Sequence, residues 1–241
     1  MRRTFGCAVF SFGQKGEKRM HLVLSGLLTI LFPQENACHL CGRFAGKGVL
    51  CSRCWNAMSE HEMPPGRQIA FRNDGLYAMV ACWKHRGVPR QLVHQLKYHT
   101  DPRAALLLAD GMVRALQNTH ELLEGMDLLV PVPLHPEREK KRGYNQAALL
   151  AQEISRQTGL ALETDVLFRT RSTETLVNLD RAQRLESMRG AFAVARPEAV
   201  KDKRILLVDD VFTTGATSLA CAEALRYAGA AKVCVVTACR A

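Results

Sequence analysis

Ile205-Leu206-Leu207-Val208-Asp209-Asp210-Val211-Phe212-Thr213-Thr214-Gly215-Ala216-Thr217 is an apolar run that delivers two carboxylates and then a short turn of hydroxyls and glycine. The four leading apolar residues suit a strand buried on both faces, as in a parallel sheet covered by helices. Adjacent strand residues point to opposite faces, so a strand continuing through Asp209 and Asp210 would push one carboxylate into the core unpaired. Both acids are therefore expected at the carboxyl edge of the strand, where open α/β sheets bind ligands. The helical spacing of Leu219, Ala220, Ala222, Ala224, Leu225 and Ala228, closed by Gly229, starts a helix at the threonines. Its first N–H groups lack intrahelical partners and carry the positive end of the helix dipole, and Gly215 lets the backbone approach a ligand closely. An anion is expected there, with hydroxyls of Thr213, Thr214 and Thr217 adding hydrogen bonds. Residues 233–238 form the next apolar run and complete a strand–helix–strand unit. Separately, the acids read as a solvated strand end and the threonines as a helix N-cap. In this order they read as a phosphosugar site.

The segment resembles the phosphoribosyl pyrophosphate motif of the type I phosphoribosyltransferases: an apolar run, two acids, then Thr-Thr-Gly-x-Thr. That resemblance implies an α/β fold with a central, mostly parallel sheet flanked by helices. It also implies that Asp209 and Asp210, the catalytic candidates, bind the ribose 2′- and 3′-hydroxyls directly or through Mg²⁺. Thr213, Thr214, Gly215, Ala216 and Thr217 would cradle the 5′-phosphate. The chemistry is consistent, since loss of pyrophosphate leaves positive charge on the ribose ring, which carboxylates stabilise while a hard cation neutralises the leaving group.

The chain has 241 residues, enough for one sizeable core and a small module. Lys and Arg outnumber Asp and Glu by 33 to 23, a formal charge of +10, which favours anionic partners: nucleotides, phosphosugars or nucleic acid. The nine cysteines are an odd number, which argues against a fully paired disulfide framework. Cys38-x-x-Cys41 and Cys51-x-x-Cys54 are separated by nine residues that include Gly42, Gly46 and Gly48. Two such knuckles complete a tetrahedral four-sulfur site for structural Zn²⁺, with His39 redundant. A redox pair or disulfides are the alternatives. Cys221, Cys234 and Cys239 read as small core hydrophobes, and Cys7 and Cys82 carry no pattern.

Residues 22–32 are too short an apolar stretch to span a bilayer, and no small-x-small cleavage site follows. They read as a helix leading into the zinc module, with no transmembrane segment and a cytoplasmic location. Residues 1–19 lack periodicity and read as a disordered extension; Met1 and Met20 are both candidate starts. The zinc module then occupies residues 20–62, a Pro-Pro-Gly linker 63–74, and the sheet domain 75–241. Within it, residues 76–83 read as a strand and 89–98 and 102–118 as helices.

Asp127-Leu128-Leu129-Val130-Pro131-Val132-Pro133 is a short strand whose prolines rule out a fully bonded central ladder at its tip. A loop follows, with Arg138, Lys140, Lys141 and Arg142 placing four cations in five residues. It reads either as a solvated turn or as a second ligand edge that holds pyrophosphate. Ala147, Leu150, Ala151 and Ile154, stopped by Gly159, give the helix after it.

Residues 20–241 together resemble the ComF-like competence and phosphoribosyltransferase-related family. The resemblance rests on the four cysteines, on residues 94–98 ending in Lys97-Tyr98, on Pro131-Val132-Pro133-Leu134, on Arg142-Gly143-Tyr144-Asn145-Gln146 and on the acid motif. It implies that Pro131, Val132 and Pro133 form the pyrophosphate loop, with Arg142, Asn145, Gln146 and Lys97 as further substrate-binding candidates. One stretch departs from the family pattern: Leu176 and Ser187 stand where Gln and Asn are usual, around Leu179, Arg181 and Arg184. Two functions from different classes follow. One is binding of phosphoribosyl pyrophosphate with Mg²⁺ and transfer of phosphoribosyl to an acceptor that the sequence does not specify. The other is non-catalytic handling of single-stranded DNA alongside DNA-uptake proteins in natural competence, with the phosphosugar site as sensor or docking site. A homodimer is compatible with either.

Overall fold

A computed structural model describes residues 36–46, 48–64, 68–70, 76–98, 102–119, 125–171, 183 and 187–241. The expected N-terminal helix, both candidate starts, and Leu176, Leu179, Arg181 and Arg184 lie outside the described residues. The chain divides into two compact units, Met1–Cys51 and Ser52–Ala241.

In the first unit, Ala37 and Phe44 form an antiparallel bridge, and turn bonds run from Cys38 N–H to Arg43 O (2.6 Å) and from Gly42 N–H to Cys38 O (2.9 Å). The first knuckle therefore bends on backbone bonds of its own turn.

In the second unit, helix α1 (Ser52–Ser59) precedes a six-stranded sheet. Its strands are β1 (Gln68–Ala70), β2 (Ala78–Lys84), β3 (Leu128–Pro131), β4 (Ala161–Leu162), β7 (Arg204–Phe212) and β8 (Lys232–Arg240). A separate antiparallel pair, β5 (Leu167–Arg169) and β6 (Phe192–Val194), stands beside it. The main order is β1-β2-β8-β7-β3-β4, parallel except for β1, which lies within the stretch expected to be a linker and pairs antiparallel with β2. Between the strands run α2 (Gly87–Tyr98), α3 (Pro102–Gln117), α4 (Pro136–Arg142), α5 (Gln146–Thr158), α6 (Pro197–Val200) and α7 (Ala216–Tyr227).

The central strands are apolar on both faces because helices cover both. Leu128, Val130, Ile205 and Leu207 join the core cluster containing Leu219, Ala222 and Leu225 of α7. By strand alternation, Leu129, Leu206 and Val208 face the other way, toward α3 and α5, which pack on the sheet and on each other. Gly111 lets α3 close onto the sheet, since a Cβ there would lie 2.0 Å from the Trp83 ring. At the amino edge, Asp127 accepts from the Arg204 backbone N–H (2.8 Å) and from its guanidinium (2.7 Å), fixing the start of β7 against that of β3. Those hydrogen bonds hold the Asp127 carboxyl well below the usual carboxylate range.

Three expectations need correction. Strand β7 does not stop before the acids but runs through them to Phe212. Helix α7 begins at Ala216, so Thr213 and Thr214 precede it and only Thr217 is helical. The basic stretch after β3 is a helix, α4, because Pro136 sets its first turn, acids sit in that turn, cations in the last, and Gly143 ends it at φ 85°. Pro131, by contrast, stays within the ladder. Val132 N–H reaches Val208 O (2.9 Å), so the Pro131 nitrogen points toward β4, which has already ended at Leu162 opposite Leu129.

Candidate functional site

The carboxyl edge of the parallel sheet gathers the residues of interest. Asp209 and Asp210 are both buried, and, as consecutive residues of β7, they diverge to opposite faces. Asp210 meets α2, where Oδ2 lies 2.8 Å from Lys97 Nζ. Burial alone would lower the Lys97 ammonium, but the charge and hydrogen bond of Asp210 more than offset it and hold the ammonium above its ordinary value. The carboxylate expected to be unpaired thus has a cation from a helix more than a hundred residues earlier.

Asp209 Oδ1 accepts the Asp210 backbone N–H at 2.8 Å. Burial, reinforced by the adjacent Asp210 carboxylate, pushes Asp209 well above the usual carboxylate range. The carboxyl is therefore primed to ionise when a cation or a hydrogen-bond donor arrives. On its side of the sheet lies Arg169, at the end of β5 and packed over the Phe192 ring with 5.6 Å to the centroid. Burial and Arg138 push that guanidinium down, while Cys221 and Asp209 act in the opposite sense. Arg169 had no signal in the sequence, because its approach to Asp209 depends on the β5–β6 pair.

Beyond β7, Gly215 caps α7 in the left-handed region at φ 84°. A Cβ there would stand 2.6 Å from Phe212 Cζ, so the glycine is required by the aromatic ring beneath it as well as by backbone conformation. Thr214 Oγ1 accepts from Ala216 N–H at 3.4 Å, whereas Thr213 is exposed and Thr217 half-buried at the start of α7. Backbone N–H groups at this end of α7 point outward with the positive end of its dipole, a geometry suited to an anion.

The other flank is the tip of β3 and helix α4. Pro131 and Val132 are buried and Pro133 is half-buried. Asn145 is committed to architecture: it caps α5 by accepting Ala147 N–H (2.9 Å) and donates to Val132 O (3.0 Å), tying that helix to the β3 tip. Gln146 is buried and accepts a hydrogen bond from Arg142. Tyr144 donates to Leu96 O at 2.7 Å. Lys97, Tyr98, Arg138, Lys141, Arg142 and Tyr144 line a cleft of about 500 Å³. Arg142 lies over the exposed Tyr98 ring, 5.8 Å from its centroid, and the His94 ring lies against Tyr98 with centroids 4.6 Å apart and planes tilted by 41°.

The four cysteines Cys38, Cys41, Cys51 and Cys54 present sulfurs within 4.8 Å of one another, with Cys41 and Cys51 Sγ atoms 3.6 Å apart. Burial disfavours a Cys38 thiolate, yet backbone N–H groups of Cys51, Cys41 and Leu40 outweigh it and bring the thiol down to about 6. Four closely placed sulfurs, one of them ionised near neutrality, fit a structural metal such as zinc. Burial instead pushes Cys234 up to about 11 and Cys239 up to about 12, as expected of inert core thiols.

Among the described residues no helix is long and apolar enough to cross a membrane. Residues 140–241 match the phosphoribosyl transferase domain family. The chain is 32% identical over 208 residues to the DNA utilization protein YhgH of Salmonella typhimurium, covering 84% of this chain and 89% of that protein. It is 35% identical over 122 residues to Competence protein F of Haemophilus influenzae, covering 50% of this chain and 53% of that protein. To Competence protein ComFC of Bacillus subtilis it is 26% identical over 187 residues, 75% of this chain and 67% of that one. With its four-cysteine cluster and its phosphoribosyltransferase fold, the chain belongs to the ComF family.

Proposed function

We propose that the chain binds phosphoribosyl pyrophosphate with Mg²⁺ at the carboxyl edge of the sheet and transfers phosphoribosyl to an acceptor. The observation that carries this reading is the buried acid pair followed at once by the Gly215 cap of α7. In it the N-terminus of α7, with Thr213, Thr214 and Thr217, receives the 5′-phosphate, and Asp209 faces the ribose hydroxyls. Asp210 acts while held by Lys97. Pro131, Val132 and Pro133 shape the pyrophosphate subsite, with Arg142 supplying charge and Asn145 and Gln146 holding the β3 tip and Arg142 in place. Mg²⁺, when bound, neutralises the pyrophosphate as it leaves. Residues 75–241 constitute the transferase-like domain in this reading, in a cytoplasmic protein whose zinc module spans residues 20–62.

Titration of the protein with phosphoribosyl pyrophosphate tests it. Binding should require Mg²⁺ and vanish in Asp209→Asn/Asp210→Asn; no binding by the unaltered protein sinks the reading. A screen of acceptors by pyrophosphate release then addresses transfer.

A second reading rests on the cationic, aromatic-lined cleft around Tyr98 and on the names of the relatives. There the chain handles single-stranded DNA, its bases stacking on Tyr98 and Tyr144 and its phosphates meeting Arg138, Lys141 and Arg142. Salt-sensitive binding of an oligonucleotide should weaken when those three cations are neutralised. Unchanged affinity would reject this second role.

A further inference from the structure

We propose that His85 is the acceptor-side general base of this site, taking the proton from a protic nucleophile, an amine or a hydroxyl, as it attacks the anomeric carbon. The inference rests on the donor reading above.

The sheet order places His85 suitably. Strand β7, with the two acids, has β3 on one side and β8 then β2 on the other. The β3 tip and the cations of α4 occupy the first side, where the donor reading seats pyrophosphate. His85 directly follows β2 on the second side. Its N–H donates to Arg240 O at 2.7 Å, and Arg240 itself stands opposite Phe212, two residues past Asp210. Displacement at a carbon centre brings the nucleophile in opposite the leaving group, and the two flanks of β7 provide those two directions.

The surroundings of His85 suit proton acceptance. The imidazole is half-buried, and the charges acting on it come from Lys97 and Arg90 of α2 and from Asp210 of β7, with Lys84 and Arg86 adjacent in the chain. Burial together with Lys97 and Arg90 lowers the imidazole, so the neutral base prevails near neutral pH, and Asp210 opposes that shift. Once the imidazole is protonated, the same Asp210 carboxylate stabilises it. The acids themselves are poorer bases for the acceptor, since Asp210 is already paired with Lys97 and Asp209 faces the α7 side. In the step, the nucleophile's lone pair forms a bond to the anomeric carbon. The bond from that carbon to pyrophosphate breaks, with its electron pair leaving on the pyrophosphate oxygen, and the nucleophile's proton passes to an imidazole nitrogen.

The test measures pyrophosphate release from phosphoribosyl pyrophosphate with Mg²⁺ and water as acceptor, across pH, beside donor binding by titration. In His85→Gln, release should fall about 100-fold and lose its acid limb while donor affinity changes by less than about 2-fold. Added imidazole should restore release in His85→Ala. An unchanged rate and acid limb in His85→Gln would overturn the proposal while leaving the donor reading intact, as would an unaltered protein that binds donor but releases no pyrophosphate. Failure of the unaltered protein to bind donor at all defeats the donor reading and this inference with it.

Discussion

Lys97 Nζ lies 2.8 Å from Asp210 Oδ2, so helix α2 neutralises a carboxylate carried into the sheet by β7. The pair is asymmetric, with the lysine side chain 28% exposed and the aspartate only 6%. A lysine that loses its partner can turn its ammonium to water, but Asp210 cannot escape. Lys97→Met should therefore destabilise the fold by about 3 kcal/mol, whereas Asp210→Asn should cost distinctly less. The double variant should recover most of the loss, as urea midpoints of the four proteins would reveal.

Asp209 sets a pH dependence of the opposite sign to that of an ordinary paired carboxylate. Its folded-state value is raised above the ordinary 3.8, so over the interval above 3.8 the folded chain holds more protons than the unfolded one. Stability should then fall as pH rises from about 4 toward neutrality. Asp209→Asn should flatten that part of the profile and be more stable at pH 7 while losing donor binding. Thermal melts of both proteins from pH 4 to pH 8 check the slope.

Gly215 combines a left-handed backbone at φ 84° with a Phe212 ring that leaves no room for a Cβ. Gly215→Ala should cost about 2 kcal/mol or more. Pairing it with Phe212→Leu should return only part of the loss, because the substitution relieves the contact but not the backbone. Denaturant titration separates the two contributions.

The cysteine cluster should carry about one zinc per chain, measured by elemental analysis of purified protein. Cys38→Ser should reduce zinc content several-fold, and a chelator should lower the melting temperature of the unaltered protein but not of the variant.

Much of the site was legible along the chain because its parts are local. The Asp209-Asp210 pair, the threonine turn and the helix after it are contiguous, and the doubled Cys-x-x-Cys spacing brings sulfurs together over a short loop. Errors arose where a local rule met a distant partner. The rule against an unpaired buried carboxylate ended β7 too early, since Lys97 stands 113 positions away, at a place the sequence marked only by family resemblance. Arg142 was legible in the basic segment and Gln146 through the family resemblance, but their mutual hydrogen bond, and the capping role of Asn145, appeared only once α4 and α5 were in place.

By itself the sequence determined the strand–turn–helix unit, the four-sulfur cluster and the family, because apolar periodicity and short spacings are fixed by the local geometry of the chain. Only the tertiary structure decided which charges face which. Strand alternation sends Asp209 and Asp210 to opposite faces, and the packing of distant elements brings Lys97 and His85 toward Asp210 and Arg169 toward Asp209. Such pairings depend on packing between elements far apart in the chain, and no spacing along it encodes them.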